Sequence, residues 1–369
     1  MVTAAVLHGV EQELKVHEDV EIAPPGPGEA KVKIVASGVC HSDLSVQNGT
    51  IPLPPPIVLG HEGAGIVEEI GEGVTSVKPG DHVVLSFVPA CGACYYCDRG
   101  QGFLCEKSAM AAAGGMLDGS TRLTLDGEPL RQMAMCGTFG NYAIVPEISL
   151  VKIEDDIDLR YAALIGCGVL TGVGAALNTA NIRPGDIVAV IGCGGVGLNV
   201  IQGAKIAGAT KIIAIDMFES KLKMAEQFGA TDLVKADDGD PVSAVVGLSD
   251  GRGADVAFEV IGLGPTIEQA INMTRNGGET VLVGVPRMDV MLNLNAAFTF
   301  LYLAKTIKGC WYGSANVQED VPKLIKLYKE GKLKLEELVS REIGVDGVNE
   351  AFEAMQQGEV ARSLITHQH

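Results

Sequence analysis

The sequence is short of positive charge. Its 28 Lys and Arg side chains face 46 Asp and Glu, a formal net charge of -18, and a chain that cannot neutralise phosphates is a poor partner for nucleic acid. No secretion leader is expected either, because MVTAAVLHGVEQELKV has neither a cationic segment nor an apolar core. There is no low-complexity tract and no repeat, which argues against a solenoid. Unbroken apolar runs are lacking too. The two longest uncharged runs, Tyr161–Ile182 and Ile187–Ala204, are interrupted by clustered glycines and polar residues, so buried strand–turn–helix units are expected there and no membrane partner. Cysteines number nine, an odd count that fits a reducing compartment. A cytoplasmic protein is expected.

What is present divides the chain in two. At 369 residues it exceeds the length at which single cores stop growing. Between Ala30 and Phe87 the segments KVKIVASGV, GIVEEIG and DHVVLSF are short, β-branched and alternating, with Gly and Pro between them, so they predict a small, mainly antiparallel β domain. From about Thr171 the strands IVAVI, KIIAID, ADVAFEV and ETVLVGV alternate with helical stretches. That rhythm predicts an α/β domain with a doubly wound parallel sheet. From Tyr312 onward come two amphipathic helices, VPKLIKLYKEG and VNEAFEAMQQG, around a short extended segment. Periodicity alone assigns them to neither domain.

After IVAVI, the run Gly192-Cys193-Gly194-Gly195-Val196-Gly197 opens a helix. Glycines in that position allow a tight turn and close approach of a pyrophosphate to a helix N-terminus. Asp216 ends the next strand at the distance where a carboxylate accepts hydrogen bonds from ribose hydroxyls, and no Arg follows at once to pair a 2′-phosphate. NAD is therefore expected over NADP, with Lys221 a further candidate for the ribose.

The stretch CGACYYCDRGQGFLC places Cys91, Cys94, Cys97 and Cys105 within one loop. A ferredoxin cluster would need a Pro after its fourth cysteine, and Glu106 stands there. Four thiolates suit one tetrahedral structural zinc, whose closed shell leaves no place for substrate. A catalytic zinc needs three protein ligands and an open position, which must come from Cys40, Cys136, Cys167, Cys193, Cys310 and the few histidines.

Taken together, Cys40 with Ser42 and Asp43, Gly60-His61-Glu62, the four-cysteine lobe, the glycines around Cys167, the Gly192–Gly197 turn, Asp216 and Glu259-Val260-Ile261-Gly262 resemble the zinc-dependent alcohol dehydrogenases of the medium-chain dehydrogenase/reductase family. The long segment between Cys105 and Phe139 is similar to the liver-type branch. The resemblance implies a GroES-like, mainly β catalytic domain of residues 1–168 and 312–369, with a Rossmann coenzyme domain of 169–311 inserted between them. It implies two zinc ions per chain, NAD, an alcohol or aldehyde substrate, and a homodimer, with a tetramer as the other possibility. Cys40, His61 and Cys167 would then bind the catalytic zinc, a ligand set the general account of zinc sites already gives for alcohol dehydrogenase. Asp43 would orient His61, and Ser42 would take the alcohol's proton. Coenzyme contacts would come from His41 and Arg362 at the pyrophosphate, Val196 and Val260 beside the ring and ribose, and Val283, Cys310 and Tyr312 at the carboxamide.

The sequence departs from the liver-type pattern at Ser45, where a histidine usually ends the proton relay. Ile51, Phe87, Phe139 and Val285, with Leu117 or its neighbours, would line an apolar pocket for medium-chain, allylic or aromatic primary alcohols. A glutathione-adduct formaldehyde dehydrogenase is the nearest enzymatic alternative, but Ile51 and Ala109 stand where that branch has an acid and an arginine. A non-catalytic dinucleotide-binding relative is the alternative from another class.

Overall fold

The computed structural model describes residues 1–108, 114–358 and 361–369, so Ala109 lies outside the described residues. These form two compact units, one of Met1–Gly168 with Asn316–His369 and one of Val169–Ala315.

In the first unit, alternation of side chains builds two β layers. Val2–Leu7, Lys15–Ile22, Leu123–Leu125, Glu128–Gln132 and Ile57–Val58 close into a small barrel. Its core gathers Val6, Leu7, Ile57, Leu59, Leu130 and Phe139. Beside it the strand Glu29–Val39 turns Ala30, Val32, Ile34 and Ala36 inward, while Lys31 and Lys33 stay half-exposed. This strand is the spine of the second sheet. It pairs antiparallel with Glu62–Ile70, with Tyr142–Pro146 and with Arg362–Thr366. The last pairing, Ser363 opposite Val39 through Thr366 opposite Ala36, seats the C-terminal segment in this unit.

The second unit is a six-stranded parallel sheet ordered Asp232–Lys235, Lys211–Asp216, Ile187–Ile191, Ala254–Glu259, Thr274–Leu282 and Thr306–Gly309. Chain order reverses between Ile187–Ile191 and Ala254–Glu259, and the carboxyl ends of strands at such a reversal are where open α/β sheets bind ligands. The apolar runs IVAVI and KIIAID form the buried middle of this sheet.

Two expectations need correction. The run 161–182 holds no strand among the described residues, because Leu159–Thr179 is helical throughout and 83% of its most apolar window is buried. Its glycines permit close approach instead of turns: a Cβ at Gly166 would lie 2.6 Å from the Leu85 carbonyl oxygen, and one at Gly174 would lie 2.5 Å from that of Gly313. That second contact also explains the other difference. Tyr312–Ser314 packs with the second unit, so the break falls after Ala315 and not after residue 311.

The Glu29–Val39 and Glu62–Ile70 pairing has one tight point. A Cβ at Gly65 would sit 2.2 Å from the Lys33 carbonyl oxygen, within the ladder itself. Gly65→Ala is therefore expected to force the two strands apart at a cost of about 3 kcal/mol, read as a lowered midpoint in chemical denaturation with an unchanged slope.

Candidate active site and metal centres

Three segments of the first unit converge on one buried cluster. Cys40 follows the spine strand and precedes the helix His41–Gln47. His61 precedes Glu62–Ile70, just after Gly60, whose φ of 91° lets the chain turn inward. Cys167 lies in the wide helical turn Ile165–Val169, and such local widening is frequent at functional sites. The ligand atoms of Cys40, His61 and Cys167 all lie within 4.8 Å of one another, and all three residues are buried. The two Sγ atoms are 3.9 Å apart. Thiolates sharing a tetrahedral zinc at 2.3 Å would stand about 3.8 Å apart.

Asp43 organises this cluster. Its carboxylate accepts hydrogen bonds from Cys40 N at 2.9 Å, from Gly60 N at 3.0 Å and from His61 Nδ1 at 3.1 Å. Because Nδ1 carries the proton in that contact, Nε2 is the nitrogen left with a lone pair. It is buried and has no partner among the described residues. An orphaned acceptor beside two thiols is the donor set a divalent zinc ion completes, so the residues present fit that metal.

The electrostatics of the metal-free cluster favour positive charge on the imidazole, so a zinc ion bound at Nε2 would take the place of a proton. The hydrogen bond from Cys167 holds the Cys40 thiol well below the ordinary range, against the effect of burial and with help from Arg362 and His61. Cys167 is pushed correspondingly high, first by its bond to Cys40 and then by burial. Burial alone would lower His61, but the charge and hydrogen bond of Asp43, with Cys40, hold it well above its usual value. Behind the cluster, burial pushes Glu62 up to about 7 against the pull of Arg362. Glu62 Oε2 accepts from Gly168 N at 3.2 Å, and its Oε1 lies 3.5 Å from Arg362 Nε.

Ser42 is half-buried beside the cluster, its Oγ 3.8 Å from Cys40 Sγ. His41 is exposed, and Ser45 Oγ lies 3.4 Å from its Nδ1. Phe87 packs edge-on against His61, with ring centroids 5.2 Å apart. Ile51 and Leu117 are half-buried and Val285, in the second unit, is exposed. One expected residue is placed differently. Phe139 has no exposed surface and sits in the barrel core, where a Cβ at Gly60 would meet its ring at 2.6 Å, so it presents no face to a substrate. Arg362 is only 5% exposed and is ion-paired with Glu62, its guanidinium wedged so near Gly168 that a Cβ there would lie 2.2 Å from Nη2. Its Nη2 has no hydrogen-bond partner among the described residues.

The second thiol cluster is built differently. Cys91, Cys94, Cys97 and Cys105 bring their Sγ atoms within 4.8 Å of one another from short turns. Cys91 and Cys97 are 4.0 Å apart and Cys94 and Cys105 are 3.9 Å apart, near the edge of a zinc tetrahedron. Three of the four residues are only half-buried, and none of the nine cysteines is in a disulfide.

In the second unit the glycine turn stands at the carboxyl end of Ile187–Ile191 and opens the helix Gly195–Ala207. Gly192 needs its φ of 94°, and Gly197 needs to be small because a Cβ there would lie 1.8 Å from the Gly192 carbonyl oxygen. Gly194 needs neither. Its φ of -75° suits any residue, and a Cβ there would meet nothing among the described residues within 4 Å. The space in front of it fits an approaching ligand. Asp216 is buried at the end of the neighbouring strand, its Oδ2 accepting from Cys193 N at 2.8 Å and Oδ1 from Phe218 N at 3.0 Å. Lys221 Nζ lies 5.0 Å above the Phe218 ring.

Val196 and Val260 are half-buried at this end of the sheet. Val283 and Cys310 immediately follow the strands Thr274–Leu282 and Thr306–Gly309. Tyr312 is buried with a φ of 53°. Sequence reasoning named the segment after Ala254–Glu259 but missed what the Glu259 side chain does. Its one legible signal is an acidic residue at the very end of the strand ADVAFE.

Comparison with known proteins agrees with this construction. Residues 26–155 match the family model of an alcohol dehydrogenase GroES-like domain, and residues 195–330 that of a zinc-binding dehydrogenase. The chain is 41% identical over 368 residues to a protein of Mycobacterium tuberculosis provisionally named alcohol dehydrogenase D, covering 99% of each. It is 40% identical over 369 residues to the NDMA-dependent alcohol dehydrogenase of Amycolatopsis methanolica, covering 99% of this chain and 98% of that one. The crystal structure of benzyl alcohol dehydrogenase from Acinetobacter calcoaceticus is similar with a TM-score of 0.94 at 32% identity, covering 100% of this chain and 99% of the other. These likenesses run the length of both units, and the chain therefore belongs to the zinc-binding alcohol dehydrogenases of the medium-chain dehydrogenase/reductase family, a family of oxidoreductases.

Proposed function

We propose that the protein interconverts a primary alcohol and its aldehyde with NAD, using one zinc held by Cys40, His61 and Cys167 and a second, structural zinc held by Cys91, Cys94, Cys97 and Cys105. The observation that carries this reading is the buried, unpartnered Nε2 of His61 beside two thiols 3.9 Å apart. Bound there, zinc would polarise the alcohol oxygen as a Lewis acid and lower its pKa, and a nicotinamide would take the hydride.

The chain's own groups do the rest. Asp43 fixes the tautomer and ring of His61 through its contact with Nδ1. Ser42 Oγ receives the alcohol's proton. Ser45 cannot titrate near neutrality, so this chain has no imidazole there to take the proton on from Ser42, and a bound coenzyme's ribose hydroxyl would offer the next acceptor on the way to water. Phe87 and Ile51 supply apolar and aromatic surface to the alcohol, which favours benzylic, allylic or medium-chain substrates; the benzyl alcohol dehydrogenase likeness supports this class. Ile51 offers no charge to the anionic adduct a glutathione-type substrate would present.

Asp216 favours NAD. Both its oxygens are tethered by backbone N–H groups, and a 2′-phosphate brought to the same place would meet a fixed negative charge. A second copy of the chain is the partner we propose. Met288, Met291, Phe298, Leu301 and Tyr302 are each more than 60% exposed in one stretch of chain that leads into the edge strand Thr306–Gly309, and apolar exposure concentrated in this way suits an association surface.

Three outcomes test these statements. Metal analysis should find two zincs per chain in the wild type and one in each of Cys40→Ala and Cys97→Ser. The first variant should keep its thermal midpoint while losing turnover of benzyl alcohol; the second should lose stability first. Gly194→Val should weaken NADH binding at least about a hundredfold without lowering the thermal midpoint, and wild type should prefer NAD to NADP in steady-state kinetics. Sedimentation should give a dimer, and the double variant Phe298→Asp, Leu301→Asp should sediment as a monomer.

A further inference from the structure

Glu259 is a fully buried carboxylate at the carboxyl end of Ala254–Glu259, next to the point where strand order reverses. Its Oε1 accepts three hydrogen bonds, from Ile261 N at 2.9 Å, Gly262 N at 2.8 Å and Thr266 Oγ1 at 2.7 Å. Its Oε2 has no partner among the described residues. A buried carboxylate with one oxygen unpaired costs stability.

What the acid holds is the turn Val260–Gly262. That turn is wedged between the two chain segments that face the reversal. A Cβ at Gly192 would lie 2.7 Å from Ile261 Cγ1, and a Cβ at Gly284 would lie 2.2 Å from Gly262 N. Val283 N and Gly284 N both donate to the Glu259 carbonyl oxygen, at 2.8 Å and 2.9 Å, while Val260 N donates to Ile191 O at 2.9 Å. The side chain and carbonyl of Glu259, together with the Val260 amide, therefore tie three segments to one another: the end of Ile187–Ile191 just before the glycine turn, Val260–Gly262 and Val283–Val285.

We propose that Glu259 is a positioning residue for the dinucleotide: its carboxylate folds Val260–Gly262 against the glycine turn and so sets the width of the crevice in which the coenzyme lies. This rests on the reading that the coenzyme binds at Gly192–Gly197. Glu259 itself touches no reacting atom. Its loss should therefore appear in coenzyme affinity and leave the chemical step alone.

The test uses the zinc-loaded enzyme and direct titration with NADH, together with steady-state kinetics in NAD. Glu259→Leu removes all three acceptor contacts and should raise the NADH dissociation constant and the NAD KM about tenfold, with kcat at saturating NAD and zinc content unchanged. Glu259→Gln keeps an acceptor oxygen in place and should rescue affinity to within about threefold of wild type. Wild-type affinity in Glu259→Leu overturns the proposal, and so does a Gln variant as weak as Leu, because then charge and not the folded turn is what matters. Should Glu259→Leu fail to fold, Thr266→Val removes one of the same contacts and must raise the NADH dissociation constant about threefold; no change overturns the proposal. Gly194→Val is titrated alongside. If it binds NADH like wild type, the coenzyme reading itself fails; if it loses NADH while Glu259→Leu does not, only the positioning role fails.

Discussion

The carboxylate of Asp43 joins parts of the chain that sequence keeps apart. Buried without exposure, it takes N–H groups from Cys40, from Gly60 and from the ring of His61. Hydrogen bonds to a charged group are worth about 1.5–3 kcal/mol each, and an unpaired buried charge costs several more. The two loops that end the spine strand and begin its neighbour are therefore held in one arrangement, with His61 Nε2 turned toward Cys40 and Cys167. Without that anchor the imidazole could adopt either tautomer and either ring orientation. Geometry, protonation and metal readiness of the site all follow from one side chain that would touch no substrate.

The charges behind the metal cluster follow from the same constraint. Two thiols and a carboxylate already crowd one buried space, and Glu62 adds another acid fully shielded from solvent. Arg362 supplies the compensating cation from the C-terminal strand, and Gly168 supplies the room its guanidinium needs. This accounts for the pairing of Arg362–Thr366 with the spine strand in functional terms. The chain's last strand carries the counter-charge to a site made by its first hundred and seventy residues.

Legibility in the sequence tracks how local each cause is. The four-cysteine lobe is written in fifteen consecutive residues, and the parallel sheet in apolar runs that alternate with helices, so both can be read directly. The cluster of Cys40, His61 and Cys167 cannot, because its spacing is set by three separate elements and each residue alone looks like an ordinary core residue. Resemblance to a family brought them together where periodicity could not. Leu159–Thr179 departs from expectation for a related reason: its glycines suggest turns in sequence, whereas in the fold they sit in a helix where another backbone comes close. Phe139 departs from expectation because an aromatic side chain has the same letter in a pocket wall as in a barrel core, and only burial tells them apart.

Glycine gives the clearest separation of folding from binding in this molecule. At Gly65, Gly168 and Gly197 the missing Cβ would strike another part of the chain, so packing alone explains the residue. At Gly192 the backbone torsion explains it. Gly194 has an ordinary torsion and open space where a Cβ would stand, so neither explanation reaches it. A side chain that the protein's own atoms would tolerate, yet which is absent at the N-terminus of a helix beside a tethered Asp216, points to a molecule outside the chain. On the proposed coenzyme reading, close approach by a phosphate to those backbone N–H groups would supply the missing reason.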